Sequence, residues 1–404
     1  MTTYPISAVR EQFPALREGL SFLDGAGGTQ LPDRVGRAIW QAATSAVCQR
    51  SLTNAAASRA DQIVLEARHA MADFLDLPAG GIVFGRSATE LTFMVARAMA
   101  SRLQPGDEVA VSRLEHDANA RPWVRATELS GATLRWIDFD PMTGDLDVAQ
   151  AAAAINDRTR IVAITAASNL YGTMPPVAEI AALARAVGAE VYVDAVAYSA
   201  HHLPSATALG ADYLVCSPYK FCGPHLGVLG AAPDRLERLH PDKVLPGTEQ
   251  VPERFELGTL PYEMLAGVTE TVDFLADLVG GEGNRRERLA RSYARLAEYE
   301  EQLFASLLAG VAEVPGVELV GSPRNRIPSL LFRVAGQAPQ QVAESLGARG
   351  ITAMSGTFYA YQAQEWAGLT AAGAVRVGVA AYTDQSDITR FLTALHDIAA
   401  PQAA

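Results

Sequence analysis

From about residue 80 the chain alternates short β-branched runs with alanine-rich stretches of helical period, and few folds accommodate that pattern. GIVFG (81–85) reads as a strand, and TELTFMVARAMASRL (89–103) as a helix with apolar residues at mixed three- and four-residue spacing. DEVAVS (107–112), ATLRWIDF (132–139), TRIVAITAAS (159–168), AEVYVDAV (189–196), ADYLVCS (211–217) and GVLGAA (227–232) continue the strands. DVAQAAAAIN (147–156) and VAEIAALARAVG (177–188) read as helices between them. Strands separated by helices pair through crossovers rather than hairpins, so the pattern predicts a mainly parallel sheet with helices on both faces. In such sheets ligands sit outside the carboxyl ends of the strands. The residues just after each strand are therefore where chemistry is to be sought.

After about residue 262 the pattern changes. A long charged amphipathic helix (about 284–309), then PSLLFRV (328–334), ITAMSG (351–356) and AVRVGVAAY (374–382), read as a separate α+β domain. A chain of 404 residues is too long for one small core. The expected division is a large domain over 20–262 and a small one over 1–19 and 263–404. The balance of 45 acidic against 33 basic residues gives a net charge of −12, which argues against nucleic acid or an anionic membrane as partner. The N-terminus lacks the basic-then-apolar order of a signal peptide, and no apolar run approaches the roughly 20 residues of a membrane span, so a cytoplasmic location is expected. Cys48, Cys216 and Cys222 are too few and too scattered for a disulfide framework or a zinc site, and no metal is expected.

Four strand ends carry candidate chemistry. In GRSATELTF (85–93), Ser87 and Glu90 have the spacing of a capping box, which starts a helix near Ala88. Such a helix start offers free N–H groups to a phosphate, although a plain structural cap satisfies the same pattern. In RLEHDANARPW (113–123), His116 follows a strand, and a base, a ligand, a plate under a planar ring and a loop histidine all remain open. Asp194 ends an apolar strand, where a carboxylate needs a cationic or N–H partner. Lys220 follows the strand ADYLVCS, 26 positions after Asp194, in a chain with only one other lysine, Lys243. Burial lowers a lysine's pKa and makes it a nucleophile able to form a Schiff base. A phosphate cradle, a ring plate, a buried acid and an imine-forming lysine together match the needs of pyridoxal phosphate.

ATE, LEHDAN, SNLYGT, VYVDAV, SPYK, RFELGT and VRVGVAAY, in this order, resemble the class V aminotransferase family of fold-type I enzymes. The closest likeness is to its cysteine desulfurase-like branch, whose opening loop LDGAGGTQLP (23–32) resembles. The resemblance implies an α/β fold with a mainly parallel seven-stranded sheet in the large domain, and pyridoxal phosphate as cofactor. It implies that Lys220 carries the cofactor, Asp194 pairs with the pyridine nitrogen and His116 stacks on the ring. Asn169 lies near the ring's 3-hydroxyl and the substrate, with Val196 beside the cofactor. Ala88, Thr89 and Ser217 hold the phosphate, and Tyr219 stands where desulfurases have a histidine. Arg376 grips the substrate α-carboxylate as a bidentate fork, with Gly27 and Tyr359 also at the substrate. Thr259 reaches the phosphate of a neighbouring subunit, which implies a homodimer with shared sites.

Departures narrow the activity. Desulfurases carry a catalytic cysteine on a small-domain loop, and ITAMSGTFYAYQ (351–362) has none. Ala197 replaces a hydrogen-bonding residue near the 3-hydroxyl. The expectation is a lyase acting on a small amino acid, an S-substituted derivative of L-cysteine, by Cα deprotonation and β-elimination, without a protein persulfide. Decarboxylation-dependent oxidative deamination of a cysteine S-conjugate, desulfuration, epimerisation and transamination begin from the same cofactor chemistry and stay open. A nicotinamide dehydrogenase would want G-x-G-x-x-G after the first strand, and GAGGTQ (25–30) has neither the form nor the place. A non-catalytic binding relative would not be expected to keep Lys220, Asp194, His116 and Arg376 together.

Overall fold

The computed structural model describes residues 3–369 and 373–400. A short strand, β1 (Ser21–Phe22), precedes the principal sheet. That sheet comprises β2 (Ile82–Gly85), β3 (Glu108–Ser112), β4 (Thr133–Ile137), β5 (Thr159–Thr165), β6 (Glu190–Asp194), β7 (Tyr213–Cys216) and β8 (Gly227–Ala231). Their spatial order is β2-β8-β7-β6-β5-β3-β4. The pairs from β7 through β6, β5 and β3 to β4 are parallel, and β8 runs antiparallel to both β2 and β7. β5 and β6 read as continuous apolar runs because helices cover both of their faces.

The remaining strands are β9 (Val317–Val320), β10 (Ser329–Val334), β11 (Ile351–Thr352), β12 (Met354–Gly356) and β13 (Ala374–Gly378). Four of them form an antiparallel sheet in the order β12-β13-β10-β9, and β11 pairs in parallel with β1. The helix Arg285–Ala312 packs on this second sheet, as does the helix Gln385–Ala399. The N-terminus joins them: Tyr4 Oη donates to Ala381 O at 2.7 Å, and Arg10 pairs with Asp384 and Asp387. The helix Tyr262–Ala276 lies instead against the helices Asp33–Thr44 and Ala55–Leu75. No described helix is long and apolar enough to cross a membrane.

Two local features differ from expectation. Ser87 does cap the helix Ala88–Ala100, accepting Glu90 N–H at 3.1 Å, but the Glu90 carboxylate takes Arg86 N–H rather than that of Ser87. The return half of the box is thus shifted by one residue. The helices Asp33–Thr44, Ala55–Leu75, Tyr262–Ala276, Gln385–Ala399 and Asp117–Ser130 are among those that lie outside the sequence reading. The last begins without a Ser, Thr, Asp or Asn signal, because its cap is the His116 ring nitrogen, and it carries Pro122 in its second turn.

Candidate active site

The carboxyl ends of β3, β5, β6 and β7, with the loop after β2, surround a cavity. Ala88, Thr89, His116, Asn169, Asp194, Val196, Ser217, Tyr219 and Lys220 border it, together with Ser87, Ala118, Thr165, Ala167 and Ala197. Nine of the sequence-selected residues therefore meet in one place, although more than 130 positions separate Ala88 from Lys220 in the chain.

Lys220 lies in a single 3₁₀ turn, Pro218–Lys220, directly after β7. Its Nζ donates to Gly27 O at 2.9 Å and to Ala26 O, both in the loop after β1. Burial, and then the charge of Arg376, pull the amine down to about 8, against the opposing pull of Asp24 and Asp194. Asp194 at the end of β6 is pushed up to about 6 by burial, partly offset by Val196 N–H, which donates to Oδ1 at 2.8 Å, and by Lys220. His116 accepts Ala118 N–H on Nδ1 at 3.0 Å, which fixes its ring plane and leaves the proton on Nε2. Burial, Lys220 and Arg376 together lower it to about 4, so the ring stays neutral near pH 7.

The helix Ala88–Ala100 starts at the cavity edge and, with Glu90 N–H taken by Ser87, presents the N–H groups of Ala88 and Thr89 near Ser217. Gly227 on β8 is what lets it come so close. A Cβ there would lie 2.2 Å from Ser87 C and 2.5 Å from Ala88 N.

Arg376 on β13 is buried at the other side of the site. Its Nη1 donates to Asn169 O at 2.8 Å and its Nη2 to Asp24 Oδ1 at 2.9 Å, while Nε has no partner among the described residues. Asn169 Nδ2 donates to Phe358 O at 2.6 Å, and its buried Oδ1 is likewise unpartnered. Gly27 contributes its carbonyl to Lys220, and a Cβ there would lie 2.0 Å from Asp24 Oδ2. Tyr359 stacks on His116 with ring centroids 5.5 Å apart. Thr259 stands apart: it is exposed, accepts Gln49 Nε2 at 3.0 Å, and does not border this chain's cavity.

Asp24 and Glu115 are among the residues missed in the sequence. Asp24 sits in the LDGAGG loop and neutralises Arg376. Glu115, next to His116, is fully buried and accepts from Ser112 Oγ, Asn119 Nδ2 and Thr165 N–H, so it ties β3, β5 and the helix Asp117–Ser130 together. Burial pushes its carboxyl up to about 8. An acid directly after a strand was the available signal, the same signal that singled out Asp194.

The site fits pyridoxal phosphate on its own terms: a depressed amine, a buried carboxylate, a neutral aromatic plate, a helix N-terminus and an unpartnered amide oxygen border one cavity. Comparison with known proteins agrees. Residues 21–391 match the family model described as Aminotransferase class-V. The chain belongs to the class-V aminotransferase family. A probable cysteine desulfurase of Pseudomonas aeruginosa is 34% identical over 406 residues, covering 96% of each chain. An uncharacterized protein of Mycobacterium tuberculosis, MT3887, is 30% identical over 394 residues, covering 97% of this chain and 98% of that one. The crystal structure of the Escherichia coli cysteine desulfurase CsdA matches with a TM-score of 0.85 at 27% identity, over 98% of this chain and 99% of that one. As a class-V aminotransferase relative, the protein is a pyridoxal-phosphate enzyme of fold type I.

Proposed function

We propose that the protein is a homodimeric C–S lyase that splits S-substituted L-cysteine into a thiol, pyruvate and ammonium, with one water consumed. Pyridoxal phosphate, when bound, supplies the aldehyde that captures the amino group and the ring that draws electrons from Cα. In this reading Asp194 would hold the ring nitrogen protonated, and His116 would support the ring face. The Arg376 guanidinium orients the substrate through its α-carboxylate. Lys220, with its amine held near neutrality, moves the Cα proton. The thiolate leaves from Cβ, and the resulting enamine of pyruvate hydrolyses.

The observation that carries this reading is the loop after β12. In it Tyr359, not a cysteine, packs against His116. Cys216 and Cys222 are buried with thiols pushed upward by burial, Cys222 to about 12, and neither borders the cavity. Cys48 is exposed and does not border it either. No thiol of this chain therefore stands ready to accept sulfur. The homodimer is supported by Thr259, which is exposed and outside the cavity of its own chain; in this reading it serves the partner's phosphate. The division into a cofactor-binding part over 20–262 and a smaller part over 1–19 and 263–404 belongs to the same proposal, and the two separate sheets support it.

Product analysis tests the reaction. Cofactor-loaded enzyme given S-methyl-L-cysteine is expected to release methanethiol and pyruvate in equal amounts, and Lys220→Ala to release neither. Sulfide and a protein-bound persulfide from free cysteine would overturn the reading in favour of desulfuration. Carbon dioxide release with oxygen uptake would do so in favour of oxidative deamination.

A further inference from the structure

Between β12 and the helix Tyr361–Trp366 the chain turns through Phe358 and Tyr359, at φ of 52° and 56°. Two consecutive non-glycine residues in the left-handed region are disfavoured, and such strain persists only where the surroundings hold it. Here the surroundings are the candidate site itself. Asn169 Nδ2 donates to Phe358 O, and Asp117 N–H donates to Tyr359 O at 2.7 Å. The Phe358 ring lies on the Arg376 guanidinium, 4.3 Å from its carbon, and the Tyr359 ring stacks on His116. Every one of these contacts lands on the site or on the first residue of the helix that His116 caps.

We infer that Phe358 and Tyr359 are specificity-determining residues that select amino acids with a flat, apolar substituent on Cβ. This rests on the reading that Arg376 orients the substrate. A substrate held between Arg376 and the His116 side of the cavity carries its Cβ substituent beside this loop, which joins those two residues. Phe358 covers one face of the guanidinium and makes that wall apolar. Tyr359 is stacked on His116, which borders the cavity, and the residue is otherwise 73% exposed, so it leaves aromatic surface uncovered beside His116. A methyl group would leave that ring in water, whereas an aryl group would cover it in an offset stack. Neither wall residue carries a charge that would favour an ionic substituent.

The test titrates cofactor-loaded enzyme with S-benzyl-L-cysteine and with S-methyl-L-cysteine. Half-saturation is read from the change in the bound cofactor's visible absorbance. Wild type is expected to bind the benzyl compound about tenfold or more tightly than the methyl compound, the scale of one aromatic contact with its buried area. Tyr359→Ala should bring the ratio close to one, the benzyl compound losing more than the methyl compound, and Tyr359→Phe should retain it. Because Tyr359 is exposed, its variants are expected to fold, and Phe358→Leu provides a second reduction of the ratio. A wild-type ratio near one, a ratio unchanged in Tyr359→Ala, or no spectral response to either compound overturns the inference. A Tyr359-dependent ratio without release of thiol and pyruvate overturns the elimination reading and leaves the specificity standing.

Discussion

Lys220 reacts only as a free amine, and its surroundings decide the pH at which that form appears. Its value of about 8 lies below the ordinary 10.5, mainly through burial and then through Arg376. The amine therefore deprotonates as pH rises through about 8. Uptake of pyridoxal phosphate by cofactor-free protein should accelerate with a midpoint near that pH, followed as growth of visible absorbance. Arg376→Gln removes the second cause of the lowering, so the midpoint should move upward; an unmoved midpoint would show that burial alone sets it. Linkage has a matching sign. Between about 8 and 10.5 the unfolded chain binds more protons at this lysine than the folded one, so its contribution to stability grows as pH rises across that window. His116 is also depressed, to about 4 from 6.5. Its contribution is complete above 6.5 and is lost as pH falls toward 4.

At the scale of elements, the helix Ala88–Ala100 and the strand β8 act as one device. The helix offers its N-terminus to the cavity, and β8 sets how deep that N-terminus sits. Ser87 fixes the start by accepting Glu90 N–H, a cap whose loss costs about 1 kcal/mol. Gly227 removes the side chain that would otherwise push Ser87 and Ala88 away. The neighbours of the missing Cβ are backbone atoms, which cannot swing aside as a flexible side chain can. Gly227→Ala should therefore destabilise the protein by about 1–3 kcal/mol, the range for overpacking, and displace the helix N-terminus that is proposed to hold the phosphate. Denaturant unfolding measures the first effect, and cofactor retained after gel filtration measures the second. Unaltered retention would mean that the helix N-terminus does not carry the phosphate.

For the whole molecule, the proposed shared site makes a complementation experiment decisive. Lys220→Ala and Thr259→Ala each impair both sites of a homodimer when present in both subunits. A mixed dimer places both lesions in one site and leaves the other intact if Thr259 serves the partner subunit. Unfolding and refolding the two variants together should therefore restore part of the activity, and no gain over the separate variants would place Thr259 elsewhere. The same scale shows how much was legible in the chain. The strand-helix alternation predicted the principal sheet, and the strand-end rule led to Ala88, His116, Asp194 and Lys220, which do border one cavity. Those inferences succeed because period and strand termination are local properties, set by which faces a segment must bury. The helix Asp117–Ser130 escaped notice because its cap is an imidazole, an uncommon start signal. Asp24 and Phe358 escaped because their importance lies in what they touch, Arg376, which is 352 and 18 residues away along the chain. The sequence by itself determined the sheet and the strand-end residues that border the cavity at its edge. Only the tertiary structure decided that Arg376 arrives already paired with Asp24 and roofed by Phe358, and that a tyrosine packs against His116. Contacts between segments so far apart depend on how the two sheets meet, and no local pattern encodes that meeting.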